Sequence, residues 1–278
     1  MGDGVRELSS SRGGLVAIGN LKGGVGKSTV AVGIAGAMAS AGKSVALVDG
    51  DPQATSSRWL TNPEQPIWIH TLDIATRSSV ETWLVQAEQL VRAHGTVLVD
   101  LPAVIGPAMA AAFMLARVII VPVSLSPVDI DGTTRVLKHI RAARNERGGR
   151  GPAVLIVPNK LPRRIGVERD FADAFDQFGE PVVAGLSLMP EHGRAFAAGA
   201  WIGDVAPGSR AHLEVLALET ALARTLERTP PAPRLEIARR ARREQQRSEM
   251  IAALRPPGEP IGTSPIGKRR WWQRFLAP

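Results

Sequence analysis

The chain alternates short, almost continuously apolar runs with longer stretches in which apolar residues return at helical spacing. Runs at 14–19, 44–48, 67–72, 96–99, 118–121, 153–157 and 182–186 are rich in Val, Ile and Leu and predict strands. Helices are predicted near 27–41, 78–93, 107–116, 127–147, 167–178 and 209–228. Strands without polar alternation, separated by helices, imply a mostly parallel sheet covered on both faces. The expected fold class is therefore α/β with three layers over 14–228, after a flexible N-terminus at 1–13.

The apolar stretch 103–123 is long enough to raise the question of a membrane span. Gly106, Pro107, Arg117 and Pro122 interrupt it, so it reads as a buried helix followed by a buried strand. Residues 1–14 carry Asp3 and Glu7 and lack an apolar core, so no secretory signal is expected. A cytoplasmic location follows as the expectation, and the absence of cysteine suits it. It also excludes disulfide frameworks, thiolate metal sites and cysteine nucleophiles.

The pattern breaks at Thr229. Pro230, Pro231 and Pro233 stop the preceding helix, and 229–278 form an Arg/Pro-rich extension. Within it, 234–254 predicts an arginine-rich helix, 255–267 a Pro/Gly linker, and 268–278 a terminus reading KRRWWQRFLAP. The whole chain of 278 residues carries a net charge of +8, and 229–278 hold 11 basic against 4 acidic side chains, a net of +7. A near-neutral globule with a cationic tail implies a polyanionic partner, either nucleic acid or an anionic membrane surface. Trp271, Trp272, Phe275 and Leu276 among basic residues fit a membrane-interface helix, a docking peptide or a stacking surface for single-stranded nucleic acid. A second basic stripe, Arg135, Lys138, Arg141, Arg144 and Arg147, lies on the predicted helix 127–147. It reads either as a solvated face or as part of a DNA-facing surface.

The strongest chemical signal is KGGVGKST at 22–29, between the first strand and the first helix. A glycine-rich turn there points successive N–H groups inward, and the helix N-terminus adds positive potential, so the segment binds phosphate. Gly23, Gly24, Val25 and Gly26 form the cradle and Thr29 follows it. Lys27 would neutralise the β/γ-phosphates, and the Ser28 hydroxyl would ligate Mg²⁺.

Here the sequence resembles the ParA/MinD family of P-loop ATPases, whose deviant loop carries a second lysine, here Lys22. The resemblance implies that Lys22 reaches the nucleotide of the other subunit in an ATP-bound homodimer. It extends to VALVDGDPQ at 45–53, implying that Asp51 orients the attacking water and Asp49 stands near the Mg²⁺ shell. TVLVDLP at 96–102 is similar to the family's second acidic strand, with Asp100 contacting Mg²⁺ through water. Asn159, in VLIVPNK at 154–160, matches an adenine contact, and Pro190 the proline of the base pocket. Lys22, Lys27 and Asp51 are thus the candidate catalytic residues, with ATP and Mg²⁺ as cofactors.

The family also implies non-specific DNA binding, an activator of ParB type, and positioning of a plasmid, chromosome or other cargo. A MinD-like membrane switch using the terminal aromatic segment is the alternative, and a metabolic or assembly ATPase a third reading. Two departures stand out. The loop after Asp100 reads Leu101-Pro102-Ala103, and the last core helix lacks the family's DNA-binding arginine pair, reading His212 to Leu216 instead.

Overall fold

A computed structural model describes residues 13–71, 80–162 and 175–232. Seven strands form one parallel sheet: β1 Gly14–Ile18, β2 Val45–Asp49, β3 Trp68–Thr71, β4 Thr96–Asp100, β5 Val118–Ser124, β6 Ala153–Leu161 and β7 Leu186–Ser187. Their order across the sheet is β3-β2-β4-β1-β5-β6-β7. Between them run α1 Lys27–Ser40, α2 Thr55–Trp59, α3 Val80–His94, α4 Pro107–Leu115 and α5 Pro127–Glu146. The chain continues past β7 into α6 Pro190–Ala197, α7 Ile202–Val205 and α8 Arg210–Arg228.

Alternation along each strand builds two cores. Leu15, Ala17, Val97 and Val99 face a layer containing Trp83, Phe113 and Ile140, from α3, α4 and α5. Val16, Ile18, Leu47 and Leu98 face Ile34, Met38, Val215 and Leu222, from α1 and α8. Helix α1 is buried from Val30 to Ala39 because it lies between the sheet and α7–α8. Gly36 permits this closeness: a Cβ there would meet the Trp201 ring at 2.3 Å.

The apolar stretch 103–123 resolves into α4 and β5, as a buried helix and a buried strand. No helix among the described residues is long and apolar enough to cross a membrane. Arg117 sits between the two elements at 2% exposure and donates to the carbonyls of Gly13 and Thr229, both at 2.6 Å, and of Leu226. A buried guanidinium thus ties the start of β1 to the end of α8.

The seventh strand is shorter than expected: Val182 makes one isolated bridge to Ile156, and only Leu186–Ser187 pair as strand. Helices α2, α6 and α7 are too short to show periodicity and escape the pattern. Most of the expected helix at 167–178, the N-terminus up to residue 12 and the extension beyond residue 232 lie outside the described residues.

The basic stripe on α5 turns out to be largely committed to the fold. Arg141 donates to the Phe178 carbonyl at 2.9 Å, and Arg147 to that of Ala116 at 2.7 Å. Arg144 bonds the Pro152 carbonyl at 3.0 Å and both oxygens of Glu180. Arg135 and Lys138 remain on the exposed surface.

Candidate nucleotide-binding site

All strands are parallel, so their carboxyl ends and the loops that follow gather at one pole, where α/β sheets bind ligands. β1 stops at Ile18 and leads into the loop 19–26, which opens α1. Gly24 and Gly26 adopt left-handed φ of 76° and 92°, which side-chain-bearing residues rarely accept. A Cβ on Gly26 would also strike Asn159 Nδ2 at 1.9 Å. The loop borders a cavity of about 720 Å³ whose walls include Gly23, Lys27, Asp51, Trp59, Val104 and Lys160.

Lys27 is buried at 7% exposure, and its ammonium donates to the Lys22 carbonyl at 3.3 Å. Burial lowers its pKa from the ordinary lysine value, while Asp100 and Asp51 pull it back up. A polyphosphate in the cavity would give this charge the partner that the fold withholds. Lys22, five positions earlier, keeps its side chain on the exposed surface. The two lysines therefore have separate directions: one inward, one outward.

Asp49 and Asp100 stand side by side at the ends of β2 and β4, both fully buried. Asp100 Oδ2 accepts the Ser56 hydroxyl at 2.5 Å, while Oδ1 has no hydrogen-bond partner. Burial pushes the Asp100 carboxyl up to about 6, with Asp49 adding to the rise and the Ser28 and Ser56 hydroxyls opposing it. An orphaned carboxylate oxygen near the Ser28 hydroxyl is a hard, anionic donor set, and it fits a hydrated Mg²⁺. Asp49, beside Asp100, also organises the following loop. Its Oδ1 accepts the Asp51 N–H at 3.2 Å and its Oδ2 the Ser57 N–H at 2.8 Å. Its carboxylate shapes the 51–57 loop, which carries Asp51 onto the cavity wall.

Asn159, expected at the base, has its amide engaged within the chain. It lies beneath the loop at 4% exposure, donating to the Val25 carbonyl at 2.7 Å and accepting from the Lys160 N–H at 2.8 Å. In this position it braces the phosphate loop, and Lys160 is the member of the pair that lines the cavity. Pro190 opens α6 as an exposed first-turn residue and is not on the cavity wall.

Several contributors carry no local sequence signal. Ser56 reaches Asp100 across 44 positions. Trp59 lines the cavity while its indole N–H donates to the Ala200 carbonyl at 3.0 Å. Ala54 and Lys160, with φ of 49° and 56°, are the non-glycine residues in left-handed conformation among the described residues; Lys160 lines the cavity, and Ala54 lies between the lining residues Gln53 and Thr55.

The model of the CobQ/CobB/MinD/ParA nucleotide binding domain matches residues 16–200. The chain belongs to this family. A maintenance of carboxysome distribution protein A from Halothiobacillus neapolitanus is 28% identical over 178 residues, covering 63% of this chain and 80% of the relative. The chromosome partitioning protein ParA of Caulobacter vibrioides is 28% identical over 207 residues, covering 60% and 78%. The septum site-determining protein MinD of Pyrococcus horikoshii, solved with Mg-ADP, superposes with a TM-score of 0.61 at 18% identity, over 75% of this chain and 95% of that one. Family structures also hold an ATP analogue with magnesium. ATP with Mg²⁺ fits this site of a nucleotide-binding family, with Lys27 and Ser28 on the cavity wall.

Proposed function

We propose that this ParA/MinD-type protein is an ATP-switched dimer that hydrolyses ATP slowly and positions a cargo along DNA. The carrying observation is the division of the two loop lysines: Lys27 is buried toward the phosphate site and Lys22 is exposed outward. Lys27 neutralises phosphate within its own subunit. Lys22 is free to reach a second subunit, so bound ATP closes the pair. Asp51, on the cavity wall, orients water toward the γ-phosphate. Mg²⁺ supplies charge neutralisation across the phosphate oxygens when bound.

The relatives named for carboxysome distribution and chromosome partitioning support cargo positioning with an activator protein. The commitment of Arg141, Arg144 and Arg147 to internal contacts, together with the missing arginine pair on α8, moves DNA contact to the cationic extension. The protein then works on the nucleoid in the cytoplasm. The membrane reading rests on the Trp271–Trp272 segment.

The deciding experiment is sedimentation with Mg·ATP in the Asp51→Ala background, where ATP binds but is not turned over. The dimer forms there and is lost in Lys22→Ala/Asp51→Ala; a stable dimer without Lys22 rejects the reading. Truncation at residue 228 weakens DNA binding and flattens its dependence on log[salt]. Vesicle binding that is lost in Trp271→Ala/Trp272→Ala, with every charge retained, would favour the membrane switch.

A further inference from the structure

Asn20, two positions before Lys22, is completely buried and makes three hydrogen bonds. Its Nδ2 donates to the Pro122 carbonyl at 2.8 Å and to Thr133 Oγ1 at 3.0 Å, and its Oδ1 accepts the Lys22 N–H at 3.3 Å. The topology explains why a side chain is needed there. β1 pairs with β5 only as far as Ile18 opposite Ile120, with Gly19 N–H closing on the Ile120 carbonyl. β5 runs on to Ser124 without β1 beside it. The Pro122 carbonyl is then buried past the end of the ladder, and the Asn20 amide replaces the absent backbone donor.

The second bond leads into α5. Thr133, itself fully buried, passes its hydroxyl hydrogen to the Asp129 carbonyl at 2.8 Å in the first turn of that helix. Asp129 accepts from Ser124 Oγ, and its N–H donates to the Ser126 cap at 3.3 Å. Gly132 lies against the same junction: a Cβ built there would be 3.9 Å from Lys22 Cβ and 4.0 Å from Asn20 Oδ1. The backbone of Lys22, β5 and the first turn of α5 thus meet on one buried amide.

We propose that Asn20 is the positioning residue of the outward lysine, fixing the Lys22 backbone and tying its orientation to the first turn of α5. The consequence for dimerisation rests on the function proposed above; the tie itself does not. Asn20 is not among the residues lining the phosphate cavity, although the neighbouring Lys22 carbonyl accepts from Lys27 Nζ, so its loss should loosen Lys22 and α5 together and weaken nucleotide binding less than self-association.

The experiment compares Asn20→Ala, Thr133→Val and Thr133→Ser with the parent, all in the Asp51→Ala background. Amide hydrogen exchange in the nucleotide-free protein reads the tie directly. Asn20→Ala and Thr133→Val should each accelerate exchange at both 21–24 and 127–134, and Thr133→Ser, which keeps the hydroxyl, should restore the parent's protection. Unchanged exchange at 127–134 in Asn20→Ala overturns the proposal. Titration with Mg·ATP should show affinity within about threefold of the parent for Asn20→Ala, whereas ATP-dependent self-association should weaken by about tenfold or more. If the parent itself fails to associate with Mg·ATP, the dimer reading falls, and the exchange data still decide whether the tie exists.

Discussion

The two poles of the sheet treat buried charge in opposite ways. At the amino pole, the guanidinium of Arg117 meets three main-chain carbonyls, and Arg144 and Arg147 fasten α5 to the Pro152 and Ala116 carbonyls. At the carboxyl pole, among the described residues, Lys27 donates only to the Lys22 carbonyl, Asp100 leaves one oxygen unbonded, and Ala54 and Lys160 hold left-handed backbone. One pole meets its charges largely from within the chain, although the buried Arg147 Nε has no hydrogen-bond partner among the described residues. The other leaves them for a ligand that brings both phosphate and metal. Stability and binding are therefore separable by mutation, and each pole has a variant that should affect one and spare the other.

The largest effect is expected at Lys27. Lys27→Ala should weaken ATP binding about a thousandfold, roughly 4 kcal/mol, because a desolvated charge facing phosphate disappears. Its thermal stability in the absence of nucleotide should not fall, since the buried ammonium is under-compensated. Titration calorimetry and thermal melting on the same sample check both halves. A marked fall in the melting temperature would show that Lys27 also holds the fold together.

Arg117→Ala is the mirror case. It leaves the carbonyls of Gly13, Leu226 and Thr229 without this donor and opens a cavity, and should reduce unfolding free energy by roughly 3 kcal/mol. ATP affinity should stay within about twofold of the parent wherever the variant is folded. A loss of affinity comparable to that of Lys27→Ala would break the separation of poles.

Legibility divides along sequence distance. The phosphate loop is readable because its glycines, Lys27, Ser28 and helix start fall within eight consecutive residues. The strands are readable because burial on both faces makes them continuously apolar. The hydrogen-bond partners of Asn159 and Asp49 are not, because both depend on which backbone groups the folded chain brings against them. Asn159 meets Val25 across 134 positions, and only the completed sheet sets β6 beside the loop. Asp49 meets Ser57 only because α2 starts there, and a five-residue helix shows no period. The carbonyl partners of the α5 arginines are hidden for a related reason: regular spacing reveals a helical face, and it cannot reveal carbonyls from distant loops turning toward it.

The smallest expected effect has the opposite sign from the others and gives the comparison its finest edge. The Asp100 carboxyl titrates at about 6 in the fold against 3.8 for an ordinary aspartate, chiefly because burial disfavours its charge. Below about pH 4 it is protonated in both folded and unfolded chains and contributes no pH-dependent term. Between about pH 4 and 6 the unfolded chain releases the proton first, so the unfolded state gains and the folded protein loses stability as pH rises. Above about pH 6 the penalty levels off at roughly 2 to 3 kcal/mol. Asp100→Asn keeps an acceptor for Ser56 and removes the charge. In metal-free buffer it should therefore melt with the parent near pH 4 and above it at pH 7, and the gap should open across the intervening range. Adding Mg·ATP should reverse the order, since the parent's carboxylate then finds its counter-charge and the variant's amide does not. Melting curves at three pH values, with and without Mg·ATP, suffice. If Asp100→Asn is less stable than the parent at pH 7 without ligand, the carboxyl pole is not holding unspent charge, and the contrast between the poles fails at its central residue.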